Sequence, residues 1–143
     1  LKDVEDDYEY IIIDSPSSYN FLSVTAMTAA DWLLVCMSIH QNSIEDFHCL
    51  LRMVKYIRTT HKVPLKIAGL LFNRCKTRKE ILSFIEKQNL SDVKELVYNT
   101  FIPKDENIKK SIDLKIPVAL HDIKSPAAEA YLSFAEEMHF FFN

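Results

Sequence analysis

A short apolar run that ends in an acidic residue is the first feature of the sequence that could perform chemistry. Tyr10-Ile11-Ile12-Ile13 is followed by Asp14 and then by a Ser-Pro break. Such a run is typical of a strand buried on both faces, and open α/β sheets bind ligands at the carboxyl ends of these strands. An aspartate at that position can hold Mg²⁺, usually through water, because a hard cation prefers oxygen ligands. The alternative is that Asp14 only caps the following turn.

A block of basic residues is the second such feature. Residues 1–48 hold one Lys and nine acids, residues 49–79 hold nine bases and no acid, and residues 80–143 hold seven bases and eleven acids. An exposed helix face normally mixes both signs, because unbroken like charge repels itself. Phosphate contacts by Lys and Arg would give salt-sensitive DNA binding independent of base sequence, and the alternative is an ordinary basic surface. The candidate DNA-binding residues are Arg52, Lys55, Arg58, Lys62, Arg74, Lys76, Arg78 and Lys79.

Glycine is almost absent, since Gly69 is the only one among 143 residues. A phosphate loop of the form G-x-x-x-x-G-K-[ST] and a dinucleotide turn of the form G-x-G-x-x-G each need more than one glycine. The chain therefore contains no self-contained nucleotide cradle of either type. If the protein handles nucleotide, a further piece must supply the cradle.

Length and composition predict one globular domain or part of one, because the 143 residues are 48% hydrophobic and 26% charged. The three cysteines, at wide spacing and without a metal-binding motif, predict reduced thiols in a cytoplasm. No run approaches the length of a membrane span. Because the chain opens without Met and resembles no signal peptide, we expect an internal or processed segment of a larger protein.

Apolar runs alternate with amphipathic segments along the chain, which predicts an α/β fold with a mostly parallel sheet and helices on both faces. The last helix should turn Ala127, Ala130, Tyr131, Phe134 and Met138 inward, and its Phe140–Phe142 end should pack. The predicted strands are Tyr8–Ile13, Trp32–Met37, Leu65–Phe72 and Leu96–Ile102. The predicted helices cover residues 20–30, 44–60 after Ser43, 76–88, 105–114, and from Ser125 as N-cap and Pro126 onward.

Several motifs together resemble the ParA/Soj-type partitioning ATPases. Asp14-Ser15-Pro16-Ser17-Ser18 is similar to the D-[ST]-P-P-S that follows the Walker B strand in that family, and Thr28-Ala29-Ala30-Asp31 matches its T-A-A-D. Ile102-Pro103-Lys104-Asp105 is similar to I-P-R-[DN], and Ile116-Pro117-Val118 with Ala128-Glu129-Ala130-Tyr131-Leu132 matches the family's ending. The likeness covers essentially the whole chain in the right order.

The resemblance implies the C-terminal half of a deviant Walker A ATPase, a P-loop NTPase-like domain related to MinD, without its phosphate loop. By the family pattern Asp14 is the Walker B carboxylate that binds Mg²⁺, and Ser15 and Pro16 belong to the switch loop. Asn73, Pro103 and Asp105 lie where the adenosine of ATP is recognised. Their alternatives are a turn former, a strand terminator and a helix N-cap. Ser17 and Ala127 depart from the family's second Pro and its Gly, and the former puts the coupling of hydrolysis to conformational change in doubt.

The implied function is chromosome or plasmid partitioning by a dimer that hydrolyses ATP to ADP and phosphate. The family binds DNA non-specifically, works with a ParB-like activating partner, and is cytoplasmic and associated with the nucleoid. This chain alone is expected to be inactive in catalysis. A nucleotide-free interaction module is one alternative. A membrane-cycling ATPase of the MinD kind is another, which Glu136 and Glu137 beside the aromatic C-terminus disfavour, so no membrane contact is expected.

Overall fold

The computed structural model describes residues 3–16, 18, 20–40 and 43–142, the side chains of Ser43 and Ser91 excepted. Helices and strands alternate through most of this range, which confirms the α/β class. The elements are α1 (Phe21–Ala29), β1 (Trp32–Met37), α2 (Ser43–Thr60), β2 (Lys66–Cys75), α3 (Arg78–Lys87), a 3₁₀ helix (Ser91–Leu96), β3 (Ile102–Pro103), α4 (Glu106–Leu114), α5 (Val118–His121) and α6 (Pro126–Phe142).

The three strands form one sheet in the order β1-β2-β3, and β2 pairs with β3 in parallel. The central part of β2, from Ala68 to Phe72, is fully buried, as its continuous apolar sequence requires. The register advances by two residues on β2 for one on β3, because Asn73 faces Ile102 and Cys75 faces Pro103. Arg74, at φ 60°, is the extra residue of this β-bulge.

Residues 1–33 and 45–68 form one compact unit. Its core joins Met27 of α1, Val54 and Ile57 of α2, and Leu65. The helical spacing of apolar residues on α2 predicts this inward face, and the structure confirms it. The Arg58 Nε group donates a hydrogen bond to the Leu65 carbonyl oxygen at 2.6 Å, which ties the end of α2 to the chain that enters β2.

Residues 34–44 and 69–143 form the second compact unit. One core cluster joins Leu71, Tyr98 and Ile102, with Phe134 and Met138 of α6 packed against it. A second cluster joins Val118, Ala127 and Ala128. Helix α6 begins as expected, since Ser125 Oγ accepts a hydrogen bond from the Ala128 amide at 3.2 Å and Pro126 occupies the first helical position.

The strand predicted over Tyr8–Ile13 is absent, so this prediction is wrong. Residues 10–16 have no regular secondary structure, and the Ile12 side chain is 93% exposed. A buried parallel strand is stable only when neighbours pair with it and both faces are covered. None of the three described strands pairs with this segment.

The strand predicted over Leu96–Ile102 is also wrong in extent. The 3₁₀ helix runs to Leu96, Val97 forms an isolated parallel bridge with Leu70, and β3 contains only Ile102 and Pro103. Between the bridge and β3, the Tyr98 amide still donates to the Leu70 carbonyl oxygen, and side chains bind backbone groups of residues 98–100 in place of a further ladder. The β-branched and aromatic residues of this stretch give it strand propensity, but local side-chain partners outweigh that propensity.

The inward face of α6 is predicted correctly for four of its five residues. Tyr131 is the exception, at 40% exposure, and Phe140 and Phe141 are 83% and 44% exposed, so the expected packing of the aromatic end is wrong for both. The α6 sequence is apolar on more than one side, and its pattern alone does not select the face that is covered. None of the helices in the described ranges is long and apolar enough to cross a membrane.

Candidate functional site

Asp14, Ser15 and Pro16 lie on the wall of a shallow depression of about 380 Å³ in the first unit. Its opposite wall is α1, which contributes Leu22, Thr25, Ala26 and Ala29. Asp14 is exposed. The depression is mainly apolar, and the Asp14 carboxylate and the Ser15 hydroxyl supply oxygen donors at one side of it.

Ser23 holds the loop that contains these residues, a role that is not predicted from the sequence. Its buried Oγ donates toward the carbonyl oxygens of Pro16, at 3.1 Å, and of Ser18. Asn20 caps α1, because its Oδ1 accepts from the Ser23 amide at 3.1 Å, and its Nδ2 donates to Ser18 Oγ at 2.8 Å. The Asn-x-x-Ser spacing before an apolar helix is the signal that could have identified this cap. Ser17, the departure from the family pattern, lies outside the described residues.

Asn73 and Pro103 lie at the exits of neighbouring parallel strands in the second unit. Asn73 faces Ile102, the residue before Pro103, and both side chains are half-buried. Gly69 lies four residues before Asn73 on the same strand. The structure therefore brings together two of the three residues that the family resemblance assigns to adenosine recognition.

Asp105, the third of these residues, caps two helices. Its Oδ1 accepts from the Asn107 amide at 2.8 Å at the start of α4, and its Oδ2 accepts from the Ala127 amide at 3.0 Å at the start of α6. These two backbone hydrogen bonds hold the pKa of Asp105 below its usual value, because they favour the charged carboxylate. The N-cap alternative for Asp105 is thus confirmed. Contact with adenosine stays a prediction.

The basic residues of the first unit are exposed to solvent, as the helical pattern predicts. Arg52 and Lys55 project from α2, and Lys62 follows it. The Arg52 Nη2 group donates to Cys49 Sγ on the same helix at 2.9 Å. Arg58 is exposed too, but its Nε serves the Leu65 carbonyl.

The basic residues of the second unit fall into two kinds. Arg74, Lys76 and Lys79 are exposed. Arg78 is half-buried, and its Nη1 donates to the carbonyl oxygens of Tyr98 at 2.7 Å and Asn99 at 3.1 Å. Arg78 therefore has a structural role, which the sequence analysis did not predict.

Comparisons with known proteins bear on this arrangement. Residues 1–67 match a family model described as an AAA domain. The chain is 30% identical over 131 residues to the chromosome partitioning protein ParA of Caulobacter vibrioides, over 92% of this chain and 49% of that protein. It is 26% identical over 138 residues to the chromosome-partitioning ATPase Soj of Treponema pallidum, over 96% of this chain and 54% of that protein. The solved structure of the MinD cell division protein of Aquifex aeolicus matches with a TM-score of 0.73 at 20% identity, over 96% of this chain and 57% of that chain.

By sequence the chain is similar to ParA and Soj, and by fold to MinD. It spans about half the length of the curated relatives it matches. The likeness to MinD, at this identity, shows the fold. The ParA and Soj relatives are named for chromosome partitioning, and Soj is named as an ATPase.

The donor set of the Asp14 loop suits a magnesium ion that keeps most of its water. Asp14 and Ser15 provide hard oxygen atoms on one loop. Among the described residues no group of three or more His, Cys, Asp or Glu side chains could enclose a metal. Mg²⁺ commonly binds through one or two carboxylates, waters and substrate phosphates, which fits this sparse arrangement.

Proposed function

We propose that this chain is the C-terminal half of a ParA-type partitioning ATPase domain that hydrolyses ATP to ADP and phosphate. The observation that carries the proposal is the alignment to partitioning proteins over more than nine-tenths of the chain. The position of Asp14 beside α1 supports it, because an exposed carboxylate on a loop held by buried hydrogen bonds is available to a metal ion. With one glycine, the chain cannot supply the phosphate loop itself, so it is inactive alone.

Each candidate residue has a role in this proposal. Asp14 orients Mg²⁺ through water and acts as the Walker B carboxylate, while Ser15 and Pro16 form the switch loop. Asn73, Pro103 and Asp105 recognise the adenosine of ATP. The ion supplies charge neutralisation at the phosphates when it is bound. Residues outside this chain complete the site with the deviant Walker A loop.

Non-specific DNA is the proposed polyanionic partner. Exposed bases on and after α2, and at the exit of β2, supply phosphate contacts that do not depend on base sequence. Arg58 and Arg78 contribute less than the others, because each guanidinium already serves backbone carbonyls. A homodimer with a ParB-like activating partner, working on the nucleoid in the cytoplasm without membrane contact, completes the proposal.

The test is Mg²⁺-dependent ATP hydrolysis by the full-length protein and its Asp14→Ala variant. We expect the hydrolysis rate of the variant to be lower than that of the wild type by a factor of about ten or more. This is the usual effect of removing a group that orients a metal and its water. Asp113→Ala, which removes an exposed carboxylate from α4, is the matched control and should leave the rate unchanged. Equal rates in the wild type and the Asp14 variant would overturn the proposed role of Asp14.

A nucleotide-free interaction module is the second candidate, and the single glycine is the observation that favours it. It predicts that the full-length protein binds neither ATP nor ADP. Equilibrium dialysis with labelled ATP, in the presence of excess Mg²⁺, separates the two candidates. Binding supports the ATPase, and its absence supports the module.

A further inference from the structure

Two charged side chains from different helices hold the backbone between the Val97 bridge and β3. From α3, Arg78 Nη1 donates to the carbonyl oxygens of Tyr98 and Asn99, at 2.7 and 3.1 Å. From α6, Glu137 accepts from the Asn99 amide at 2.7 Å and from the Thr100 amide at 3.0 Å. We call these four hydrogen bonds the 98–100 clamp.

The Tyr98 amide still donates to the Leu70 carbonyl oxygen of β2 at 3.1 Å, and beyond it the clamp takes the place of a sheet ladder. Hydrogen bonds in which one partner is charged are shorter and stronger than neutral ones, so two side chains can fix three residues of irregular backbone. Burial alone would raise the pKa of Glu137, but the Asn99 and Thr100 amides bring it below its usual value, which is consistent with a carboxylate that stays charged.

The Tyr98 side chain adds a third attachment to α6. Its ring meets Phe134 edge to face at 5.1 Å between centroids, and its hydroxyl donates to Met138 Sδ at 3.1 Å. The residues that contact the segment on α6, Phe134, Glu137 and Met138, thus lie within little more than one turn.

The same helix contacts the chain again just after β3. The Ala127 amide, in the first turn of α6, donates to Asp105. Residues 98–105 are therefore fixed by α6 at two points that lie ten residues, or about 15 Å, apart along the helix. Pro103 and Asp105 lie within residues 98–105. The clamp fixes the first part of this segment, residues 98–100, which precedes β3.

We propose that Arg78 and Glu137 are positioning residues for nucleoside recognition, which they serve by fixing the backbone that leads into Pro103 and Asp105. This inference rests on the proposed function. It assigns to Arg78 a role different from DNA contact. If Pro103 and Asp105 recognise the base and ribose of a ligand, the affinity for the base and ribose would depend on the clamp. The affinity for the phosphates would not depend on it.

The experiment compares Glu137→Gln and Arg78→Gln with matched controls at exposed residues of the same two helices, Glu136→Gln on α6 and Lys87→Gln on α3, in the full-length protein. Hydrogen exchange at the Asn99 and Thr100 amides reports on the clamp itself. Competition between ATP and GTP reports on nucleoside recognition. We expect about tenfold faster exchange and about tenfold weaker preference for ATP in the clamp variants, the effect of losing a charged hydrogen bond, and neither change in the controls.

Conservative variants keep the test valid if a clamp variant folds poorly. Arg78→Lys retains a donor for the two carbonyls and should restore part of the ATP preference, which a purely structural defect would not predict. Unchanged exchange at Asn99 and Thr100 would overturn the clamp. Faster exchange with an unchanged preference for ATP over GTP would overturn the positioning role. If the wild type binds no nucleotide, the proposed function fails and the positioning role fails with it, while the exchange rates still decide whether the clamp exists.

Discussion

The Tyr98 ring lies so close to Gly69 that a Cβ atom at position 69 would stand 2.5 Å from Tyr98 Cε2. The same Cβ would stand 2.8 Å from the carbonyl oxygen of Leu96. One of these neighbours is a ring that the core holds in place, and the other is backbone. The only glycine of the chain therefore lies where the segment from Leu96 to Tyr98 packs closely against β2.

Gly69→Ala is expected to destabilise the protein by about 1–3 kcal/mol, the usual cost of overpacking a core. The measurement is the free energy of unfolding in urea. Tyr98→Ala and the Gly69→Ala, Tyr98→Ala double variant complete a cycle, in which trimming the ring should recover only part of the loss because the Leu96 carbonyl remains. A Gly69→Ala protein as stable as the wild type would contradict the packing described for Gly69.

Reversing the charge of Arg52 and Lys55 together should weaken DNA binding for every base sequence alike. These two residues are exposed, and neither donates to a backbone carbonyl in any described contact, so Arg52→Glu with Lys55→Glu tests charge with little effect on folding. We expect the slope of log affinity against log salt to shrink by about two, roughly one for each phosphate that is no longer neutralised. Fluorescence anisotropy with duplexes of unrelated sequence measures it.

The control for this variant has the same change in net charge at other exposed sites, Lys94→Glu with Lys109→Glu. It should leave the salt slope near the wild-type value. If both pairs weaken binding equally, the effect belongs to net charge and not to the surface of α2. If neither pair does, α2 takes no part in DNA binding.

The Asp105 cap predicts a pH dependence of stability with a definite sign. The pKa of Asp105 is lowered in the folded state by the Asn107 and Ala127 amides, so its contribution is present above the unfolded value of about 4 and is lost as the pH falls through the folded pKa. Asp105→Asn keeps one acceptor oxygen but loses the other. We expect it to be less stable than the wild type by about 1 kcal/mol at pH 7, with a smaller difference at pH 3.

Urea denaturation at the two pH values measures this difference. Asp113→Asn removes an exposed carboxylate from the same helix and serves as the control, with no comparable change expected. A difference between wild type and Asp105→Asn that stays constant from pH 7 to pH 3 would show that ionisation of Asp105 does not contribute.

The thiols of the three cysteines should react in the order of their exposure. Cys36 is exposed, Cys49 is half-buried and Cys75 is buried. Burial raises the pKa of the Cys75 thiol, and the nearby Glu80 carboxylate raises it further, so less of the reactive thiolate is present at neutral pH. A disulfide reagent should modify Cys36 first and Cys75 only when the protein opens. The Cys36→Ser variant should lack the fast phase of the reaction with this reagent. A fast phase that persists in the variant would contradict the order of exposure, because another thiol would then be the most accessible one.

Local patterns were enough for most of the fold. The Trp32–Met37 strand has the predicted bounds, α2 ends at Thr60 as predicted, and α6 begins at Pro126 after the Ser125 cap. These elements depend on short-range signals, which are apolar spacing, a cap and a helix-starting proline. The site was less predictable. Asn73 and Pro103 are predicted site residues, whereas the β-bulge at Arg74, which follows Asn73 on β2, is not predicted from the sequence.

The sequence by itself determined the α/β class, the inward face of α2, the two oxygen-bearing residues after Ile13 and the lack of a phosphate loop. Each of these follows from residue type and spacing within a few positions. Tertiary structure decided that Tyr8–Ile13 does not form a strand, that Leu96–Ile102 pairs only at its ends, and that Arg78 and Glu137 serve the backbone of residues 98–100. Strand formation and side-chain capping both require partners distant in sequence, and no local pattern specifies whether those partners are in reach.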